Sequence, residues 1–232
     1  MAENMPEMTR THDHRDAQVA EFDRQVSALL AKGYPQAAGM RRADFLGHVR
    51  ALREKAGDTA GDPPADGRLP FVLVIKDELV PGAKAIELVE RRGEPGFSVM
   101  DADDISSFTP IDTVTLPEGP AYLMVDVDTG KDTLNVTPEA ALTSIANQGR
   151  SPLTIAEGVA LVTQHPEAVA QKHGFSLLGS RCGDRRVAAL WISKGRPKLG
   201  WCWAGNPHTW LGSASCGPRV DAGGAAVAGP SS

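Results

Sequence analysis

All three cysteines and all four tryptophans of this 232-residue chain fall between Phe175 and Arg219. That clustering restricts the fold more than any other feature. An aromatic side chain buries roughly 150–250 Å², so four indoles gathered near one end must become either packed sheet core or the wall of a binding cleft. Two strand-like runs, Val187–Ser193 and Leu199–Ala204, flank Lys194-Gly195-Arg196-Pro197-Lys198, and Gly with Pro in a five-residue connection predicts a β-hairpin. With Ser193 opposite Leu199, Trp191 faces Trp201 and Leu190 faces Cys202. Alternation along each strand then gathers Ala189, Trp191, Leu199, Trp201 and Trp203 on one face. Ala188, Leu190, Ile192, Gly200 and Cys202 take the other.

The same stretch is basic. It holds seven Lys/Arg against one Asp, whereas residues 1–174 hold 17 Lys/Arg against 27 Asp/Glu. Segregation of this kind favours anionic partners for the basic face, although the strip can equally dock on the acidic remainder. The expected ligand site has Trp191, Trp201 and Trp203 as its wall and Arg181, Arg185, Arg186, Arg196 and Lys198 as charge donors. Its occupant is a small anionic ligand or an acidic protein segment. The acidic total and the lack of a recognisable module disfavour nucleic acid. No glycine loop before a helix marks a nucleotide site, and no cofactor is indicated.

Other chemistries compete for the same residues. Cys182, in Gly179-Ser180-Arg181-Cys182-Gly183-Asp184-Arg185-Arg186, sits among arginines that would favour a thiolate. His208 is a candidate base and Asp184 or Asn206 an orienter, which would make a cysteine-dependent enzyme. Cys182, Cys202, His208 and Cys216 form a donor set for structural zinc, but no C-x-x-C pair is present, so no metal ligands are assigned. Asp126, Asp128, Gly130 and Asp132 resemble a calcium loop with the glycine one place early and no terminal Glu.

The remaining pattern predicts an α+β fold with N-terminal helices, a mixed central sheet and a C-terminal segment rich in hairpins. Residues 1–16 read as disordered, and one domain is expected over 17–219. Within it, Val19, Phe22, Val26, Leu29 and Leu30 give a helical stripe, and a second helix over Arg42–Lys55 completes a helical hairpin, 17–57. A breaker-rich linker covers 58–69. Sheet and helices follow over 70–174, with strands at Phe71–Ile75 and Tyr122–Val127. Thr137-Pro138-Glu139 and Thr154…Glu157 mark two helix starts. The Trp/Cys-rich strands occupy 175–219, and 220–232 reads as a flexible tail. No apolar run approaches the roughly 20 residues of a spanning helix. The polar start has no signal-peptide core, and three sparse cysteines fit a reducing cytoplasm.

The stretches EFDRQVSALLAKGYP, PFVLVIKDELVP, GPAYLMVDVDTGKDTLNVTPEAAL, GRSPLTIAEGVALVTQHPE and FSLLGSRCGDRRVAALWISKGRPKLGWCWAGNPHTWLG make the chain similar to a family of uncharacterised actinomycete proteins, classed only as a domain of unknown function. The resemblance spans Ala17 to Arg219. It implies a bacterial cytosolic protein in which these segments form one unit, and it carries over no activity, cofactor or catalytic residue.

Overall fold

The computed structural model describes residues 7–59, 67–223 and 226–227. Helices α1 (Glu7–Ala31), α2 (Tyr34–Ala37), α3 (Arg42–Val49) and α4 (Leu52–Gly57) come first. The stripe on α1 is real, with Phe22 and Leu29 buried and Val26 and Leu30 packed behind them. Two expectations shift. The first helix begins at Glu7 inside the segment read as disordered, and the second breaks into α3 and α4 around Arg50-Ala51. Residues 60–66 of the linker lie outside the described residues, and by Arg68 the chain is already strand.

The apolar runs form β1 (Arg68–Ile75) and β2 (Ala121–Asp128), paired antiparallel from Arg68↔Asp128 to Ile75↔Ala121. Between them lie the short helices α5 (Gly82–Leu88) and α6 (Ala102–Ser107). The far side of β1 has no strand partner among the described residues, and Gln25 of α1 covers it. Its amide donates to the Phe71 carbonyl (3.2 Å) and accepts from the Leu73 N–H (2.7 Å), so a buried side chain occupies groups that would otherwise be an open edge. After β2, α7 (Pro138–Asn147) is capped by Thr137, and α8 (Ile155–Gln164) carries a complete Thr154/Glu157 capping box, as their sequences predict.

The C-terminal strands are β3 (Gly174–Leu177), β4 (Arg186–Ser193), β5 (Arg196–Trp203), β6 (Leu211–Ser213), β7 (Ser215–Cys216) and β8 (Arg219–Val220). They divide between two sheets. β7 and β8 extend the antiparallel β1–β2 sheet, and Ala226–Val227, in the segment read as a flexible tail, pairs with β8. The others build a mixed sheet in the order β6-β3-β4-β5-(Phe97–Ser98), parallel at both ends. The fold is α+β, with two main sheets and two small two-stranded ones, Glu90–Arg91 with Glu94–Pro95 and Thr109–Pro110 with Ser180–Arg181, instead of one central sheet.

Helix α8 packs on both sheets and is buried along nearly its whole length. Gly158 permits the close fit, because a Cβ there would come within 2.3 Å of the Leu177 side chain. Beneath it lies a buried ion pair. Arg219, at 1% exposure, donates through Nε and Nη2 to the two oxygens of fully buried Glu157 (2.5 and 2.9 Å), and through Nη1 to Ser151 Oγ (2.7 Å). Tyr122 Oη donates to Glu157 as well (2.8 Å). Every polar end has a partner, as a low-dielectric interior requires. The pair ties β8 to the first turn of α8.

Candidate partner-binding surface

The hairpin forms with a tighter turn than its sequence suggests. Lys194 and Gly195 have φ of 52° and 81°, the doubly positive pattern of a two-residue type I′ turn. Ser193 therefore opposes Arg196, Trp191 opposes Lys198, and Ala188 opposes Trp201. The expected pairing is off by three residues. An odd slip exchanges which faces of the two strands go together.

Trp191 consequently lies on the outer face with Lys198, Gly200 and Cys202, and its ring covers Gly200, where a Cβ would approach within 2.6 Å. Trp210 meets it edge-on at 6.1 Å between centroids. Helix α7 covers the rest of this face through Ala141 and Ile145. The opposite face sends Ala188, Leu190 and Leu199 into the main core. Trp201 and Trp203 continue that face beyond the core and stay exposed, at 37% and 46%, packed edge-on at 4.8 Å. The three-indole wall expected from the sequence is thus two separate pairs.

The edge of β5 away from β4 has no strand partner at Trp201 among the described residues, while the Trp203 carbonyl accepts from the Asn206 N–H (3.1 Å). Ser193/Arg196 closes a two-residue turn, so Arg196, Lys198, Gly200 and Cys202 bond toward β4 while Pro197, Leu199, Trp201 and Trp203 point their backbones outward. Pro197, which looked like a turn residue, sits where a missing N–H costs nothing. On that outward side Phe97–Ser98 pairs only with Lys198–Leu199, ending at the Val99 N–H to Leu199 carbonyl bond (3.2 Å). Val99 follows beside Gly200 and is 58% exposed. Val99, Trp201 and Trp203 are the exposed large hydrophobic residues among the described residues, and all three flank this edge.

The basic side chains have unequal fates. Arg186 is held by Asp104 and Asp184 (2.8 Å each) and lies over the Phe108 and Trp201 rings. Arg185, 74% exposed at its side chain, reaches only to 3.9 Å from Glu139. Arg181 is half-buried, donates to the Arg186 carbonyl (3.3 Å), and has its pKa lowered by desolvation. Lys198 stands over Trp191 and Arg196 over Phe97, each 4.8 Å from the ring centroid. No carboxylate lies within 4 Å of Arg181, Arg196 or Lys198 among the described residues. Phe97 and Phe108 escaped sequence reading because they lie outside the C-terminal strip, on segments without a clear period.

Among the described residues no hydrogen bond joins Cys182 to His208. Cys182 Sγ donates to Asp184 Oδ1 (3.2 Å), and burial together with that carboxylate pushes the thiol pKa up, opposite to the expected effect of the arginines. Asp184 itself is bound by Arg186. His208 leans on Trp210 (5.4 Å), and its buried Nε2 has no hydrogen-bond partner among the described residues. The zinc set is dispersed too. Cys202 Sγ faces Ser176 Oγ (3.6 Å), and Cys216 is fully buried, its pKa pushed up to about 12 by desolvation. The acids of the calcium-like loop are engaged, Asp126 by Arg150 and Arg68, and Asp128 by Arg68 and the Gly130 N–H. Among the described residues no three His, Cys, Asp or Glu side chains are grouped to hold a metal, and no helix is long and apolar enough to cross a membrane.

A family model described as "Family of unknown function (DUF5701)" matches residues 28–222. The chain belongs to that family. The match takes in all of the second sheet and the β5 edge, so in this DUF5701 member the Trp-bearing hairpin is part of the family unit. No curated protein and no solved structure matches the chain.

Proposed function

We propose that this protein, in the reducing cytoplasm of a bacterium, docks an extended acidic segment of another protein along the edge of β5. The observation that carries the reading is the gathering of Val99, Trp201 and Trp203 around strand backbone that, past Leu199, has no strand partner on its outward side among the described residues. An added strand takes its affinity from main-chain hydrogen bonds and its selectivity from alternate side chains, and paired tryptophans are frequent anchors of binding energy. Arg185, Lys198 and Arg196 supply the positive charge that favours an acidic partner.

The test is titration of the full chain with an acidic ten-residue peptide, followed by tryptophan emission. Trp201→Ala or Trp203→Ala should weaken binding about 10–100-fold, and raised salt should weaken it further. Equal binding of a neutral peptide, or an unaffected double variant, would refute the reading.

The outer face supports a second reading, a small anionic ligand at Trp191, Lys198 and Arg196. Both cations stand over rings without a carboxylate neighbour. In that case phosphate alone should change the emission, and Lys198→Ala should abolish the change while Trp201→Ala leaves it intact.

A further inference from the structure

A recess of about 330 Å³ lies at the C-terminal end of α8 and shares no residue with the β5 edge. One wall comes from Arg68 and Leu69 at the start of β1 and from Thr129 and Lys131 just past the end of β2. The other is the segment after α8, with His165, Glu167 and His173. The volume is at the lower limit of ligand sites, roughly 300–1,000 Å³, so an occupant must be small.

The first wall is rigid. The Thr129 N–H donates to the Gly67 carbonyl (2.9 Å). Between Thr129 and Lys131 the chain passes β6 at Gly130, whose φ is 78° and where a Cβ would meet the Ser213 carbonyl oxygen at 2.2 Å. Only glycine permits that crossing, and it clamps both neighbours. His173 is fixed in turn by reciprocal backbone bonds with Ala170 (2.7 and 3.1 Å), and its Nε2 meets Thr129 Oγ1 at 3.3 Å.

The lining is electrically two-sided. Arg68, Lys131 and the Thr129 hydroxyl give the first wall its donors, although Arg68 also serves Asp128 (2.9 Å) and Asp126 (3.4 Å), Thr129 also meets His173, and Lys131 has a further partner. The second side is negative. It carries the Glu167 carboxylate, 73% exposed at its side chain, and the C-terminal end of α8, where the helix dipole favours cations. His165 adds no charge there near neutral pH, because burial lowers its pKa. A plain anion would meet the carboxylate and the helix end, and a plain cation would meet Arg68 and Lys131. Leu69, Ala168 and Ala170 leave room for a short apolar body.

We propose that the recess binds a small zwitterion of amino-acid size, with its carboxylate toward Arg68, Lys131 and Thr129 and its ammonium toward Glu167. The test follows the histidine ring signals of the full chain by NMR during titration with each standard L-amino acid, and with acetate and methylammonium as half-ligands. At least one amino acid should shift His165 and His173 saturably while leaving His48 and His208 in place, and neither half-ligand should match its affinity. Glu167→Gln should weaken binding about threefold, the scale of an exposed ion pair. Thr129→Val, which keeps the volume, should weaken it about tenfold through loss of a hydrogen bond to a charged group. Thermal melts of both variants report that they remain folded. If no amino acid moves those two signals by about 10 mM, a concentration that would load even a millimolar site, the proposal fails. It fails equally if acetate binds as tightly as the best amino acid, or if Glu167→Gln changes nothing. Tryptophan variants of the β5 edge should leave these results intact, so this site and the docking edge stand or fall separately.

Discussion

Replacing Glu157 by glutamine should cost this protein a large part of its stability, and replacing Arg219 at the same time should return most of it. Glu157 and Arg219 are 0% and 1% exposed, and Arg219 makes four hydrogen bonds, two of them to Glu157. Tyr122 donates to one Glu157 oxygen and the Thr154 N–H to the other, so the single amide oxygen of Glu157→Gln can keep only one of these bonds, and the guanidinium stays buried without a counter-charge. Breaking one side of a buried pair costs about 3–5 kcal/mol. At roughly 2–4 °C per kcal/mol for a chain of this size, the melting temperature should fall about 10 °C. Glu157→Gln/Arg219→Met removes the stranded charge along with the pair, and such replacements are often close to neutral, so the double variant should melt well above the single. Burial pushes the Glu157 carboxyl up, but Arg219 and the hydrogen bonds outweigh it and hold the pKa below the ordinary value. A depressed folded-state pKa gives stability that is present above the unfolded carboxylate's pKa and lost as pH falls through the folded one. The acid limb of the stability profile should therefore be flatter in the double variant. Urea melts from neutral pH into acid measure all of this. A single variant within about 1 kcal/mol of the parent, or a double variant as unstable as the single, would refute the account.

Gly130→Ala should be among the most damaging conservative changes, since it adds a Cβ at positive φ within 2.2 Å of the Ser213 carbonyl oxygen. A loss of roughly 2–4 kcal/mol in urea melts is expected, and a wild-type midpoint would sink the close-crossing argument. Asp77 keeps solvent exposure, yet the atoms crowding its carboxyl raise its pKa to about 6 by desolvation, with Glu78 adding to it, so its effect on stability is small. A raised folded-state pKa gives stability that is full below the unfolded value and lost as pH rises through about 6. Asp77→Asn should remove that slope and raise the melting temperature modestly at neutral pH, and an unchanged profile between pH 4 and 7 would contradict the shift.

What the sequence disclosed follows the range of each interaction. The caps at Thr137 and Thr154 involve neighbours within one turn, and both were legible. Glu157 shows the limit well. Its spacing from Thr154 announces a capping box, while its bond to Arg219 crosses 62 positions and leaves no local trace. The hairpin itself was legible, but its register was not. Gly195 and Pro197 both read as turn residues, yet a proline is harmless on the outward side of a strand, and only Lys194-Gly195 makes the turn. That single ambiguity moved Trp191 to the face away from Trp201 and Trp203. The acids after β2 mislead for a related reason, because Arg68 and Arg150, distant in sequence, neutralise them.

The basic strip meets the acidic body in two ways, and strand alternation keeps them apart. Arg186 and Arg219 are consumed internally by Asp104, Asp184 and Glu157. Lys198 and Arg196 remain on the outer face of β5, while Trp201 and Trp203 stand on the other. Side chains of an added strand share the faces of the residues opposite them. A docked peptide should therefore present apolar residues opposite Trp201 and Trp203 and acids at the intervening positions. Two peptides of identical composition separate this from mere charge attraction, one alternating apolar and acidic residues, the other with all its acids in one block. The alternating peptide should bind about tenfold more tightly, while both show the same sensitivity to salt. Equal affinities would mean that net charge alone draws the partner, and the edge-strand geometry would then have no part in recognition.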